Sequence, residues 1–371
     1  MLIGVPKEIK NHEYRVGMTP ESVSEAIHHG HSVIIERSAG LGIGASDEHY
    51  QNAGAEIVDT ADDVFDRAEM IVKVKEPQAS ERARLREGQL LFTYLHLAPD
   101  PSQTKDLIDS GATCIAYETI TDPHGTLPLL KPMSQVAGRM SIQAGATALE
   151  KSHQGKGLLL GGVPGVTPAN VVILGGGVVG FNAAQMAVGL QANVTIIDKN
   201  PAVLESLSHY FGSKAKTLYS TQSALHEAVL AADLIIGAVL IPGAAAPKLI
   251  SQAMVQTMEA GTVLVDVAID QGGCFETSKA TTHADPTYVV DEVVHYCVAN
   301  MPGGVAKTST YALNNATLPF ILKLANHGWK KACQQDSHLL NGLNVWQGKI
   351  TNQPVAESLG YAFFPPSKAI Q

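Results

Sequence analysis

VVILGGGVVGFNAAQMAVGLQANVTIID, residues 171–198, decides the fold of this chain. A β-branched apolar run over residues 171–174 leads into Gly175-x-Gly177-x-x-Gly180. A helix-forming stretch follows over residues 182–190, and a second apolar run over residues 194–197 ends on Asp198. Each part has a physical task. Gly175 permits the tight turn, Gly177 lets the backbone approach a pyrophosphate, and Gly180 lets helix and strand pack closely. The helix start offers unpaired N–H groups to phosphate charge. Asp198 closes the second strand, where a carboxylate can accept hydrogen bonds from both hydroxyls of an adenine ribose. The same carboxylate repels a 2′-phosphate, which favours NAD over NADP. The glycine pattern alone is weak. Set between two strands and closed by an aspartate, it predicts a dinucleotide-binding domain rather than a glycine-rich turn that binds nothing.

Working outward, 371 residues leave room for two domains, each burying its own core. A hydrophobic fraction of 45% with 16% charged residues describes a soluble globular chain. The net charge of −9 argues against nucleic acid, which requires a basic face. Cys114, Cys274, Cys297 and Cys333 are far apart, lack metal-type spacing, and read as buried thiols in a reducing compartment. The opening MLIGVPKEIK enters a strand-like run without the apolar core of a signal peptide. The longest apolar candidate, residues 228–246, is interrupted by Asp233 and Pro242, so no membrane span is expected. These features together predict a cytoplasmic location.

Upstream of the glycine loop, residues 2–5, 32–35, 70–74, 90–95 and 113–117 read as strands. Thr19-Pro20-Glu21 reads as a helix start, with threonine as the cap. Such alternation implies a parallel sheet with crossover helices, hence a second α/β domain. Pro123, Gly125, Pro128 and Pro132 mark residues 122–133 as a crossing between domains, and residues 134–151 read as one long helix. Downstream of Asp198, strands are expected over residues 234–240, 263–269 and 288–290, completing the nucleotide-binding sheet. After Pro302 the pattern is helical over residues 308–325 and then irregular. A tail without strands of its own is expected to return to the first domain. The predicted fold is therefore α/β, with two Rossmann-like doubly wound domains and a cleft between them. Residues 1–128 with 307–371 form the substrate domain, and residues 129–306 form the NAD-binding domain.

In open α/β sheets, ligands bind beyond the carboxyl ends of the strands. Lys75 directly follows the run 70–74, His96 the run 90–95, and Asp270 the run 263–269. Arg15, in the loop HEYRVGMTP before the first helix, can join from the same edge. Taken singly, a lysine or aspartate after a strand is commonly a solvated turn residue. The chain has 14 histidines, and a lone one is more often a satisfied surface or core group. His28, His29 and His31, around Gly30 at a helix end, need only helix-dipole and solvent roles. As a set, the strand-end residues fit ligand chemistry and solvated turns equally well. The chemistry open to them is specific. Arginine and lysine bind a substrate carboxylate, arginine through two parallel hydrogen bonds. Histidine exchanges a proton with the substrate heteroatom. Aspartate positions or activates water, or stabilises a cationic iminium. With a hydride acceptor these functions describe oxidation of a 2-amino or 2-hydroxy acid.

Several stretches carry a family resemblance: MLIGVPKEIKNHEYRVGMTP at the start, VKVKEP around Lys75, LFTYLHLAPD around His96 and KPMSQVAGRMSIQAGA around Ser134. The glycine loop, VDVAIDQGGCFETS around Asp270 and HYCVANMPGG around Met301 complete the set. In collinear order over nearly the whole length, they resemble the family shared by alanine dehydrogenases and the NAD-binding subunit of proton-translocating transhydrogenase. The resemblance implies NAD-dependent oxidative deamination of L-alanine to pyruvate and ammonium, and the reverse reductive amination. It implies that Arg15 and Lys75 bind the carboxylate or carbonyl region of the substrate, with His96 and Asp270 as the acid/base pair. It assigns to the NAD site Ser134, Gly175, Gly177, Val178, Val179, Gly180, Asp198, Ser220, Val239 and Leu240. To these it adds Val267, Ala268, Ile269, Asp270, Lys279, Val298, Ala299, Asn300 and Met301. It also implies a homo-hexamer, with the C-terminal segment completing the substrate domain.

The chain departs from the family pattern at Val203, where relatives often carry a basic residue shortly after the ribose aspartate. Lys279-Ala280 stands where arginine and proline are usual, and Ala245 where a lysine is usual. These changes are expected to alter cofactor affinity without abolishing it. Some relatives use a carboxylate and histidine of a late helix for magnesium; here Lys323 precedes His327, so no metal is expected. Two other readings stay open: a dehydrogenase of another small 2-amino or 2-oxo acid, and a transhydrogenase-type subunit that holds nucleotide for a membrane partner. The helical tail over residues 308–329 fits a self-contained enzyme better.

Overall fold

The short apolar runs at the start of the chain become parallel strands because a helical segment carries the chain back across the sheet between each and the next. The structure, a computed structural model, describes residues 1–239 and 246–371. Along the first segment the strands are β1 (Leu2–Val5), β2 (Ser32–Glu36), β3 (Glu56–Val58), β4 (Met70–Val72), β5 (Leu90–Thr93) and β6 (Thr113–Ala116). Next come β7 (Asn170–Leu174), β8 (Asn193–Asp198), β9 (Ala215–Tyr219), β10 (Leu234–Gly237), β11 (Val263–Asp266), β12 (Thr287–Val290) and β13 (Val293–Tyr296). The final segment adds β14 (Leu343–Trp346) and β15 (Lys349–Ile350). Two compact units result: Met1–Met133 with Gly303–Gln371, and Ser134–Pro302.

The first unit holds a sheet of order β3-β2-β1-β4-β5-β6-β14-β15, and the second a sheet of order β9-β8-β7-β10-β11-β13-β12. In both, six parallel strands follow one permutation, with the first and fourth side by side. Strand order reverses there, at β1/β4 and β7/β10, which opens a crevice at the carboxyl ends. Parallel strands in the middle of such sheets are covered on both faces, so they read as continuous apolar runs. β7 illustrates this: Val171 and Ile173 join one core cluster, and Val172 and Leu174 join another. The first of these clusters also takes in Ala183, Ala184 and Ala187 of the helix Val178–Gly189.

Several elements differ from their sequence-based expectation. β4, β5 and β11 stop at Val72, Thr93 and Asp266, several residues short. At β11 the reason is local, because the Asp266 carboxylate accepts the N–H of Ala268 and turns the chain. The helix expected over residues 134–151 runs from Lys131 to Ala148. Pro132 lies in its first turn, where a missing N–H costs nothing. The helix after the glycine loop starts at Val178, not at residue 182. The expected strand over residues 288–290 is β12, an antiparallel edge strand, and the sixth parallel position belongs to β13, which the sequence reading passed over. β3 and β9 were likewise unforeseen. The tail is not strandless, since β14 pairs antiparallel with β6 through an irregular register, and β15 pairs with β14. The helix preceding it extends from Ala306 to Gln335, interrupted at Gly328, where φ is +72°.

Candidate active site

In the first unit, β1 is followed by a long loop, residues 6–19, before the helix Pro20–His28 begins behind its Thr19 cap. This loop carries Arg15, which is buried. Its Nε donates to Glu13 Oε1 at 2.7 Å and its Nη2 to Glu13 Oε2 at 2.6 Å, a fork-to-fork pair. Nη1 lies 3.0 Å from Met133 Sδ. Burial works against the Arg15 charge, but the Glu13 carboxylate outweighs it and holds the guanidinium above its usual range. Removing one partner of such a buried pair costs about 3–5 kcal/mol, so Glu13 fixes the charge and direction of Arg15. The loop is pinned from the side by the helix Ala306–Gln335. Asn314 Oδ1 accepts from the Thr19 N–H, and Asn314 Nδ2 donates to Gly17 O. Gly17 itself sits against β4, where a Cβ would come within 2.4 Å of Val72 O.

Beneath this loop lies a second ionic cluster. Lys73 Nζ donates to Glu8 Oε2 at 3.0 Å and to Glu81 Oε1 at 2.7 Å, and all three side chains are buried. Two carboxylates share one ammonium. Burial pushes the Glu8 carboxyl up to about 7 against the pull of Lys73, with help from the like charges of Glu81 and Glu13. Lys75 follows on the same chain exit. Its carbonyl accepts from Thr93 Oγ1, its ammonium lies 3.9 Å from Glu76 Oε2, and Glu76 is also paired with Lys10. Burial would raise the Glu76 carboxyl, but Lys75 and Lys10 outweigh it and hold it below its usual range.

His96 lies on the exit from β5, with its side chain exposed. Its ring stacks on that of Tyr94, with centroids 5.7 Å apart and planes 8° from parallel. Tyr94 is buried, donates its hydroxyl to Leu129 O, and lies within electrostatic reach of Arg15. The His96 backbone is left-handed, with φ at +51°. Arg15, Lys75 and His96 thus leave from β1, β4 and β5, neighbouring strands on the two sides of the point where strand order reverses.

In the second unit, residues 175–177 make the whole connection from β7 to the helix Val178–Gly189. Gly175 has φ of +101°, and a Cβ there would meet Ala238 O at 2.8 Å. A Cβ on Gly180 would meet Gly175 O at 1.8 Å, whereas one on Gly177 would meet nothing within 4 Å. The helix has no side-chain cap at Gly177. Its first N–H groups therefore have no capping side chain and begin beside a residue without one, an arrangement that suits a pyrophosphate. Asp198 Oδ2 accepts from the Gly176 N–H at 2.6 Å, and Oδ1 accepts from the Asn200 N–H at 2.8 Å. The carboxylate is thereby locked beside the glycine turn. Val203, one of the departures from the family pattern, packs against Gly176.

The remaining cofactor candidates stand beyond successive strand ends. Ser220 follows β9 and donates its N–H to Asp198 O. Val239 follows β10 and lies near Gly175. Val267, Ala268, Ile269 and Asp270 follow β11, with Asp270 exposed in the 3-10 turn Ile269–Gln271. Val298, Ala299, Asn300 and Met301 follow β13. Ser134 lies instead in the helix Lys131–Ala148, and Lys279 is an exposed residue upstream of β12, its N–H donated to Tyr288 Oη. Leu240, with Ala245, lies outside the described residues. The Asp270 turn is clamped on two sides. Lys248 Nζ donates to the carbonyls of Gly272, Gly273 and Phe275, and buried Asp266 accepts from the Ala268 and Cys274 N–H groups and from Ser278 Oγ. Burial holds the Asp266 carboxyl above its usual range.

The sequence reading missed Glu13, Asp266, Lys248 and Glu118. Asp266 was signalled as the charge inside an apolar run. Glu118 follows the run into β6, so the strand-end rule that selected Lys75 and His96 also selects it. Lys323, where some relatives have a carboxylate, is paired with Asp336 at 2.6 Å.

Comparison with known proteins follows this geometry. Residues 4–137 match the model of the alanine dehydrogenase/PNT N-terminal domain, and residues 141–353 that of the C-terminal domain. An alanine dehydrogenase of Halomonas elongata is 61% identical over 370 residues, 100% of each chain. A solved L-alanine dehydrogenase superposes with a TM-score of 0.94 at 53% identity, covering 97% of this chain and 99% of its own. A transhydrogenase from Sinorhizobium meliloti has a TM-score of 0.83 at 24% identity over 94% and 100% of the two chains, a likeness of fold.

Proposed function

The chain belongs to the alanine dehydrogenase/PNT family, and from that membership we propose that it interconverts L-alanine and pyruvate with NAD as cofactor. In the oxidative direction L-alanine, NAD and water give pyruvate, ammonium, NADH and a proton. The observation that carries this reading is 61% identity over the full chain to an alanine dehydrogenase. NAD is the cofactor that the family implies, and the uncapped helix start at Gly177 with the adjacent Asp198 carboxylate fits it. When bound, NAD supplies the hydride acceptor.

The roles of the chain's own residues follow from their chemistry. Residues 134–302 would hold the cofactor: the N–H groups at the start of the helix Val178–Gly189 would receive the pyrophosphate, and Asp198 would accept from the ribose hydroxyls. The discontinuous unit holds the substrate. Arg15, kept charged and aimed by Glu13, takes the substrate carboxylate together with Lys75. His96 and Asp270 form the acid/base pair. His96 exchanges the proton at the substrate nitrogen or oxygen, and Asp270 orients the water that attacks the imine carbon. Four buried free cysteines fit a reducing compartment and hence the cytoplasm. No helix among the described residues is long and apolar enough to cross a membrane. The resemblance to the family supports a homo-hexamer, which light scattering tests.

The deciding experiment is NAD reduction by L-alanine at alkaline pH, followed through NADH absorbance. Turnover is expected, and His96→Ala should lower kcat by about 10²- to 10⁴-fold, the range for loss of a general acid–base group. Activity no higher than that of the variant would overturn the reading. A panel of small 2-amino acids, with L-alanine expected to give the highest kcat/KM, tests the substrate.

A further inference from the structure

We propose that Glu118 is a positioning residue for the reaction, holding His96 in a strained backbone conformation that aims its imidazole at the substrate. The inference rests on the role given to His96 above. His96 is one of few non-glycine residues with a left-handed backbone, and such a conformation persists only where surrounding contacts impose it. The contacts are present and come from side chains. Glu118 Oε1 accepts the His96 N–H at 2.6 Å, and both carboxylate oxygens accept the Leu95 N–H at 3.2 Å.

From the other side, Gln103 Nε2 donates to Leu95 O at 2.6 Å, and Thr104 Oγ1 donates to Leu97 O at 3.1 Å. Gln103 and Thr104 are buried, in the helix Pro101–Ser110. The segment from Leu95 to Leu97 thus has its peptide groups taken by side chains beyond the last residue of β5. Glu118 itself is half-buried in the turn Tyr117–Thr119 that follows β6, the strand next to β5. Its nearer oxygen lies 3.9 Å from His96 Nδ1, beyond hydrogen-bond range, so its grip on His96 is through the backbone. Tyr94 supplies the remaining constraint, a flat surface against which the ring stacks. Backbone and ring are thereby fixed independently, the arrangement that keeps a proton-transfer group within reach of its target.

The test is a double-mutant cycle between Glu118→Leu and His96→Ala in the full chain, with Glu118→Gln as the conservative variant. Glu118→Leu should lower kcat for L-alanine about 10- to 100-fold, the value of a charge-assisted hydrogen bond lost at the reacting geometry. NADH affinity, read by fluorescence titration, should stay within about twofold, because Glu118 belongs to the unit that does not carry the glycine turn. Glu118→Gln keeps one oxygen to accept the His96 N–H but sets an amide N–H₂ against Leu95, so it should recover most of the loss. In the His96→Ala background, Glu118→Leu should have almost no further effect on the residual turnover. Losses that multiply across the cycle would show Glu118 acting by itself and overturn the proposal. So would a Glu118→Leu enzyme with unchanged kcat beside an inactive His96→Ala. Full activity of His96→Ala would instead remove the role of His96, a separate outcome that also ends the proposal.

Discussion

The two sheets reverse strand order at the same place, yet the turns leaving those places differ in kind. After β7 the chain needs only residues 175–177 to reach its helix, and the turn presents backbone alone. After β1 it takes residues 6–19, and the loop buries two carboxylates and a guanidinium, packed beside Lys73 of β4's exit. The short turn attracts an anion with helix N–H groups that carry no net charge and no rotamer freedom. The long loop offers side-chain charge instead, which must itself be held in place by opposite charge, as Glu13 holds Arg15. Topology sets where a ligand can lie, while the length and chemistry of the first turn set which ligand it is.

This contrast can be broken most sharply at Gly180. Gly180→Val forces a side chain onto Gly175 O, so NADH binding should weaken about 100-fold, corresponding to about 2.7 kcal/mol. Wild-type affinity in fluorescence titration would mean that the short turn is not what receives the cofactor. Asp198→Ala should have a smaller effect. It removes the carboxylate and also leaves the Gly176 N–H without its acceptor, so KM for NAD should rise about tenfold while discrimination against NADP relaxes. Equal Michaelis constants in variant and wild type for both cofactors would contradict this role.

The third test, on stability rather than binding, falls on the long loop. Glu8 is raised from 4.5 to about 7 in the folded chain, so the folded state binds the extra proton across that window. Its contribution to stability is fully present below the unfolded value and is lost as pH rises through the folded one. Glu8→Gln has no such proton to lose. As pH rises across that window the stability difference should therefore shift toward the variant, by up to about 3 kcal/mol, read from urea midpoints on either side. A difference that does not change with pH would place the titration elsewhere.

The strand–turn–helix–strand unit was legible because each part has a strong local signature. Three glycines at fixed spacing, a β-branched strand on either side and an aspartate at the end leave few other structures. β3, β9 and β14 were not legible. EIV, AKTLY and LNVW are short, and β9 is mostly exposed at a sheet edge. Their pairing comes from neighbours distant in sequence, which no local pattern encodes. Strand ends pointed to Lys75, His96 and Asp270, since chain direction alone brings such residues to the carboxyl edge of their own sheet. The side chains that hold them were hidden for the opposite reason. Glu13 looks like an ordinary surface acid in the sequence, and although Asp266 and Glu118 stand at an apolar run and a strand end, only the fold shows that each of the three accepts hydrogen bonds at or beside a candidate site residue.

The discontinuity of the first unit also sets an order on its synthesis. Residues 134–302 are contiguous, so every strand of the second sheet has been synthesised before residue 303 is added. The first sheet has its six parallel strands far earlier but must wait for Leu343 before β14 covers β6, all four of whose residues are buried in the finished chain. Until then that edge is an open template for other nascent strands, and β14, made more than 200 residues after β6, is what closes it.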